Sequence, residues 1–274
     1  MPSKRSSHYE ENLRQIRRMN LFSDFFMTIC FDRKPELAEK VLRIILNKPK
    51  LKIISTDTQV SLINIRERTV RFDVLAEDSS GRKMNIEVQR KREGANPRRA
   101  RYHSSILDAT FFKRGQKFED ILDQYVIFIT ERDYFRKNLP LYVIKRVIEG
   151  TGEDFNDGSY IIYVNGAYRD SSPLGKLMHD FACAKPDEMH YNELKETVRF
   201  FKETKEGKDF MCEILDEMLD KERSEGHTEG RKEGINNTFK AISMLKVGNY
   251  GLEDIAGASG LSIEEVKELQ ASLS

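Results

Sequence analysis

Two runs of alternating side chains around one tight turn constrain the fold of this chain more than any other feature. Residues 69–77 and 83–91 alternate polar with apolar positions, and Asp-Ser-Ser-Gly at 78–81 separates them. Alternation with a period of two is typical of strands, and a short connection that contains glycine joins two strands into an antiparallel hairpin. The sequence therefore predicts a β-hairpin over residues 69–91.

The register of this hairpin predicts a pair of neighbouring carboxylates. A turn centred near residue 80 places Asp73 opposite Glu87, and Gln89 projects from the same face as Glu87. Oxygen ligands of this kind suit Mg²⁺ or Mn²⁺, which can polarise a phosphate and activate a water molecule. Charged pairs on the outer face of a sheet are also common without any ion, so spacing alone leaves both interpretations open. The side chains expected to face the core are Phe72, Val74, Ile86 and Val88.

The rest of the chain predicts a mixed α/β core followed by helices. Of its 274 residues, 39% are hydrophobic and 33% are charged, which allows one sizeable core and a heavily solvated surface. Helical periodicity is present at 21–31, 35–47 and 98–114, and 125–130 is a continuous apolar run typical of a buried strand. After Pro173 the pattern is helical.

Charge and cysteine content limit the classes of partner. The net charge is only +1, but residues 82–101 contain eight basic residues against Glu87 and Glu93. This asymmetry predicts contact with a polyanion, although a solvated helix face would have the same composition. The three cysteines lack zinc-ligand spacing, and no apolar run reaches the roughly twenty residues that span a bilayer. We therefore predict reduced thiols, a cytoplasmic location and no membrane partner.

Several short motifs resemble one known group of enzymes. RFDVL at 71–75, the Gly81 turn and NIEVQR at 85–90 look like the core signature of the PD-(D/E)xK nuclease superfamily. More narrowly, the chain resembles the recombination-promoting nuclease and transposase-related (Rpn-like) family. Supporting stretches are RARY at 99–102, VIFITE at 126–131, YVNG at 163–166 and LMHDF at 177–181.

The resemblance implies a fold, an activity and a set of site residues. The fold would be a restriction-endonuclease-like α/β core, with a mixed sheet flanked by helices and a helical C-terminal extension. The activity would be that of a Mg²⁺-dependent (or Mn²⁺-dependent) DNA endonuclease linked to recombination or mobile elements. Asp73, Glu87 and the backbone carbonyl of Val88 match the metal ligands, and Asp24 matches a further acid, although a helix cap or surface acid fits it equally well. The basic residues expected to contact DNA are Arg90, Arg98, Arg99 and Arg101.

One departure from the superfamily keeps other functions open. Gln89 stands where the superfamily at large has a lysine, and an amide neither carries charge nor takes a proton. Gln89 could orient the attacking water, but any charge stabilisation must come from the metal or from an arginine. A catalytically silent binding module with the same fold remains the main alternative. A toxin-like nuclease controlled by a partner protein is the other.

The C-terminal third predicts a connector and a small module. Glu-Gly pairs recur every four residues from 225 to 234; we favour a frayed or weakly helical linker over a glycine stripe that packs against another helix. Residues 252–269 fit a helix-turn-helix template, but Glu264, Glu265 and Glu268 would repel phosphates. The module is thus expected to bind protein, either a second copy of the chain or another partner. The predicted divisions are a basic arm (1–20), the nuclease-like core (21–170), a helical extension (171–224), the linker (225–237) and the module (238–274).

Overall fold

The computed structural model describes residues 8–63, 69–247 and 249–273. The helices are α1 (Tyr9–Arg18), α2 (Asp24–Phe31), α3 (Pro35–Ile45), α4 (Pro97–Phe111), α5 (Pro173–Ala182), α6 (Asn192–Glu203), α7 (Lys205–Val247), α8 (Leu252–Ser259) and α9 (Ile263–Leu273). The strands are β1 (Ile53–Ile63), β2 (Thr69–Asp78), β3 (Lys83–Gln89), β4 (Gln124–Thr130), β5 (Leu141–Ile144) and β6 (Ser159–Asn165). Short 3-10 turns lie at Arg92–Ala95, Phe118–Asp120 and Pro186–Glu188.

The six strands form one mixed sheet in the order β1-β2-β3-β4-β6-β5. β1, β2 and β3 are antiparallel, β3, β4 and β6 are parallel, and β5 is an antiparallel edge strand. In the predicted hairpin, Val74 pairs with Ile86 and Leu75 with Asn85, which is the register expected from the turn. A mixed sheet flanked by helices confirms the predicted α/β restriction-endonuclease-like class.

Helices cover the sheet where the hairpin joins the parallel strands. Every residue of β4 is buried, because this strand lies in the middle of the sheet. Ala100 and Leu107 of α4 share a buried cluster with Val126 and Phe128 of β4. α2 packs against β1 and β2, and α3 packs against β1. The centre of the hairpin is therefore shielded from water rather than half-exposed.

The described part of the basic N-terminal arm is a helix. Ile16 of α1 is buried, and the following connection is tied to α6 by Lys202. The amine of Lys202 donates to the carbonyls of Arg17, Met19 and Ala184. Burial lowers the pKa of Lys202 to about 8. These bonds hold the segment just before α2 against the rest of the core.

The chain divides into two compact units, Glu10–Met211 and one that contains Cys212–Ser274. Residues 225–237, predicted to form a frayed or weakly helical linker, lie within α7, which runs through them without a break. Arg231, Lys232 and Glu233, between Gly230 and Gly234, are good helix formers, whereas each glycine costs about 1 kcal/mol relative to alanine. In the second unit, Ala241, Ile255 and Val266 form a small apolar cluster, and Gly260 ends α8 with a φ of +76°.

No helix in the described ranges is both long enough and apolar enough to cross a bilayer.

Candidate active site

Asp73 and Glu87 lie side by side at the end of the β2–β3 pairing. The Asp73 carboxylate accepts a hydrogen bond from the Val88 amide at 3.0 Å (N to Oδ2). The Asp73 amide in turn donates to Glu87 Oε1 at 3.4 Å. The backbone of one strand therefore holds the carboxylate of the other, and the structure brings together the two acids that the hairpin register placed opposite each other.

Asp73 and Glu87 are more deeply buried than expected, because alternation placed them on the face of the hairpin that points away from the core. Asp73 is 6% exposed and Glu87 is 0% exposed. Phe72 was expected to point away from the acids, but its ring lies 5.1 Å from that of His103, which itself contacts Glu87. The β2–β3 pairing ends at Val74 and Ile86, so the strict alternation does not continue through Phe72. Packing of α4 on the sheet buries what alternation alone predicts to be an outer face.

Three further side chains surround the carboxylate of Glu87. Asn85 Nδ2 donates to Oε1 at 3.1 Å, and the Arg99 guanidinium donates to Oε2 at 3.0 Å. His103 Nδ1 lies 3.4 Å from Oε1, and its other ring nitrogen accepts from Arg99 at 3.2 Å. Sequence reasoning assigned no role to Asn85 or His103. A usable signal was present, since residues four apart on α4, such as Arg99 and His103, share one helix face.

The proximity of like charges at Asp73 and Glu87 is electrostatically unfavourable without a compensating cation. Burial, and then the charges of Glu87 and Asp24, raises the pKa of Asp73 to about 8. Asp24, the first residue of α2, keeps access to solvent, yet partial desolvation and the nearby Glu87 raise the pKa of its carboxyl as well. Three acids, two predicted from the hairpin register and one from the family resemblance, thus act on one another electrostatically.

Gln89 lies at the end of β3, where it pairs with Thr130 of β4. Its side chain is half-buried and rests against Gly94, where an added Cβ would lie only 1.8 Å from Gln89 Oε1. Gly94 is therefore needed to leave room for the amide. This packing places the amide where β3 leaves the sheet, two residues beyond Glu87.

The four arginines predicted to contact DNA have different surroundings. Arg90 donates to the carbonyl of Phe22 and to the side chain of Asn20, both at 3.0 Å. Arg99 is held by Glu87, and its second nitrogen donates to the Gly94 carbonyl at 3.1 Å. Arg98 and Arg101, in the first turns of α4, are exposed. Two of the four are thus occupied within the fold, and their contact with DNA stays a prediction.

A second cluster of metal-type ligands has a structural explanation. Within the described ranges, His179, Asp180 and His190 form the one group of three whose ligand atoms lie within 4.8 Å of one another. Asp180 is fully buried, and its oxygens accept from the amides of His190 and Tyr191 at 2.8 to 3.0 Å. This carboxylate therefore fastens the segment after α5. The neighbouring Cys183 thiol donates to the Lys185 carbonyl at 3.1 Å.

Comparison with known families agrees with the geometry of the hairpin. Residues 36–167 match the family model of the PD-(D/E)XK nuclease family transposase. This segment is similar to that family. The PD-(D/E)XK match includes Asp73, Glu87 and Gln89, begins after Asp24 and ends before α5, and it confirms the resemblance drawn from the motifs. No curated protein and no solved structure matches the chain.

Proposed function

We propose that this protein is a metal-dependent DNA endonuclease that hydrolyses phosphodiester bonds at Asp73 and Glu87. The observation that carries the proposal is the pair of adjacent, buried carboxylates, held by the Val88 amide inside a segment of the PD-(D/E)XK nuclease family. Two like charges out of water raise the free energy of the fold unless something compensates them. A divalent cation would compensate them and serve hydrolysis.

The donor atoms fit a hard cation. Asp73 and Glu87 offer carboxylate oxygens and Val88 offers its carbonyl, and oxygen donors suit Mg²⁺ or Mn²⁺. Asp24 lies close enough to interact with both acids and retains solvent, so it is suited to hold a metal-bound water. When bound, the ion would polarise the phosphate and make a water molecule more acidic.

Arg99 supplies the positive charge that Gln89 lacks. Its guanidinium donates to Glu87 at 3.0 Å and is 38% exposed at the side chain, so it borders both the buried acid and solvent. A guanidinium can bind two phosphate oxygens at once. Arg99 therefore offsets the charge of the buried Glu87 carboxylate, and it could also bind a phosphate oxygen at the same site.

The assay that tests the proposal measures cleavage of supercoiled plasmid DNA in EDTA, Mg²⁺, Mn²⁺ and Ca²⁺. We expect nicking or linearisation in Mg²⁺ or Mn²⁺, none in EDTA, and none with Glu87→Gln. Glu77→Gln is the matched control, because Glu77 lies on the same hairpin but pairs with Lys83 away from the site.

The same assay distinguishes an endonuclease from the main alternative, a catalytically silent binding module. Both oxygens of Glu87 already bind protein donors, which is the observation that favours a catalytically silent binding module. If no metal supports cleavage of plasmid, single-stranded DNA or RNA by the folded wild-type protein, the endonuclease proposal is wrong. Metal-independent DNA binding in that case would indicate the silent module.

Gln89 is expected to assist rather than to carry the reaction. It cannot take a proton, so Gln89→Ala should lower the cleavage rate by about tenfold, less than the loss of a carboxylate. Gln89→Lys should retain activity, because it restores a charge at a position with solvent access. Single-turnover rates on one DNA substrate provide the measurement. Complete loss in Gln89→Lys, with metal binding unchanged, would show a specific requirement for the amide.

The C-terminal module is proposed to bind protein, either a second copy of this chain or a partner. Its apolar cluster is small, and Glu264, Glu265 and Glu268 on α9 are exposed. Truncation after Gly234 should preserve metal-dependent cleavage and lower the oligomeric state or remove partner binding. Light scattering and DNA affinity of both proteins provide the measurement. An unchanged mass per particle together with strongly weakened duplex binding would show that the module reads DNA.

A further inference from the structure

A cavity of about 350 Å³ lies beside Gln89, where β3 and β4 leave the sheet. The two strands are parallel, with Gln89 paired to Thr130, so the segments that follow them face each other. Pockets that bind small ligands typically measure roughly 300 to 1,000 Å³. The cavity is thus large enough for a ligand group, and it adjoins the proposed site without including Asp73 or Glu87.

Basic side chains outnumber acidic ones around this cavity. The basic residues are Arg90, Lys91, Arg92, Arg132 and Arg136, and the acidic ones are Glu93, Glu131 and Asp133. Some of these charges are already used by the fold: Arg90 binds Phe22 and Asn20, and Arg92 lies over the ring of Tyr134 at 5.2 Å.

Two arginines of the cavity remain available. Arg132 and Arg136 are exposed, and across the residues the structure describes their guanidinium groups have no hydrogen-bonded or ionic partner. Lys91, on the opposite wall, is exposed as well. Cations that converge on a concave surface without an internal partner are suited to an anion from solution.

The loop between β4 and β5 holds these arginines in a defined conformation. The Asp133 carboxylate accepts from the amides of Phe135 at 3.1 Å and Asn138 at 2.7 Å, and from the Tyr142 hydroxyl at 2.8 Å. Arg136 adopts a φ of +58°, a region that side chains other than glycine rarely occupy. Such conformations cost free energy and persist where surrounding bonds impose them. The bonds to Asp133 thus keep Arg136 in place at a cost in stability.

We propose that this cavity binds a phosphate group of the nucleic-acid strand next to the phosphate that is cleaved, and that Arg132 and Arg136 are its ligands. The inference rests on the proposed nuclease function. Gln89 lies two residues beyond Glu87 along β3, a rise of about 6.6 Å. That distance is comparable to the separation of neighbouring phosphates along a strand. A strand with its reacting phosphate at Asp73 and Glu87 would therefore bring the next phosphate to the cavity.

The test combines Arg132→Ala with Arg136→Gly. Glycine at 136 removes the guanidinium and relieves the positive φ, so this variant is expected to fold at least as well as the wild type. Lys113→Ala with Arg114→Ala is the matched control, since it removes the same charge from two exposed residues outside the cavity. Fluorescence anisotropy measures the affinity for a labelled DNA duplex and for its single strand, in Ca²⁺ and at several salt concentrations.

We expect the cavity variant to bind DNA about tenfold or more weakly, and to lose about one unit or more of the salt slope of its binding constant. The control should change affinity by less than about threefold. Arg132→Lys with Arg136→Lys should restore the slope but only part of the affinity, because lysine keeps the charge and lacks the planar fork.

The outcomes distinguish this inference from the nuclease proposal. If the wild type cleaves DNA with metal and the cavity variant binds and cleaves like the control, the cavity inference is wrong and the nuclease proposal stands. If no cleavage occurs under any condition but DNA binding depends on Arg132 and Arg136, the nuclease proposal fails and the cavity still binds a phosphate of nucleic acid. An equal loss of DNA affinity in the cavity variant and the control would show that binding depends on overall positive charge rather than on the cavity. That result would overturn the inference.

Discussion

Replacing Asp73 by asparagine is expected to abolish metal-dependent cleavage and, in the same protein, to raise the stability of the metal-free fold. Cleavage should fall by roughly 1,000-fold or more, about 4 kcal/mol of transition-state stabilisation, because the ion loses a carboxylate ligand. Stability should rise, because asparagine can still accept from the Val88 amide but adds no charge beside Glu87. A gain on the order of 2 kcal/mol is expected near pH 8.

The gain should depend on pH in a defined direction. The pKa of Asp73 is raised to about 8 in the folded protein, whereas an unfolded aspartate releases its proton near pH 4. Between these values the folded state holds a proton that the unfolded state has lost, so this group stabilises the fold fully below about pH 4 and loses that contribution as the pH rises toward 8. Asp73→Asn removes the effect, and its advantage over wild type should shrink from pH 8 to pH 5.

Thermal unfolding at pH 5, 6.5 and 8, with EDTA and with Mg²⁺ or Mn²⁺, measures both parts of this prediction. The ion should stabilise the wild type by mass action and leave Asp73→Asn unchanged. Glu77→Gln, on the same hairpin, should respond to metal like the wild type. Near-normal cleavage by Asp73→Asn would show that Asp73 is not an essential metal ligand. A variant less stable than wild type at pH 8 would show that the charge of Asp73 does not destabilise the metal-free fold.

Replacing Arg99 by alanine is expected to destabilise the metal-free protein by about 2 to 4 kcal/mol, since it leaves the buried Glu87 carboxylate without its guanidinium partner. Asn85 and His103 still contact Glu87, which keeps the loss below that of a fully isolated charge. Urea unfolding in EDTA measures the change. Divalent metal should recover much of it, because an ion at Glu87 neutralises the same carboxylate.

Two comparisons make this prediction specific to the ion pair. Arg98→Ala, one residue earlier and exposed, should change stability by less than about 0.5 kcal/mol. Glu87→Gln combined with Arg99→Ala should be less damaging than the sum of the single changes, as expected for residues in contact. Additive effects, or an Arg99→Ala protein as stable as Arg98→Ala, would mean that Arg99 does not stabilise the buried Glu87 carboxylate.

The hairpin and its acid pair could be predicted from sequence because both are local. A side-chain period of two and a four-residue turn determine the register, and the register alone puts Asp73 against Glu87. The family motifs extended this to the class of fold, which the mixed sheet confirms. The sequence predicts a frayed or weakly helical linker at residues 225–237, because each glycine lowers helix propensity; the structure includes them in α7.

What surrounds the pair is decided by contacts between residues far apart in sequence. The parallel pairing of β3 with β4 brings Gln89 to Thr130, forty-one residues later, and sets the β4–β5 loop opposite the basic segment. α4 lies over the same strands, buries Glu87 completely and brings Arg99 and His103 onto its carboxylate. Local periodicity carries no information on which helix covers which strand, since that depends on burial of apolar surface over the whole core. The sequence by itself therefore determined which acids meet. Tertiary packing decided how deeply they lie, that Arg99 contacts Glu87, and where the basic cavity beside Gln89 opens.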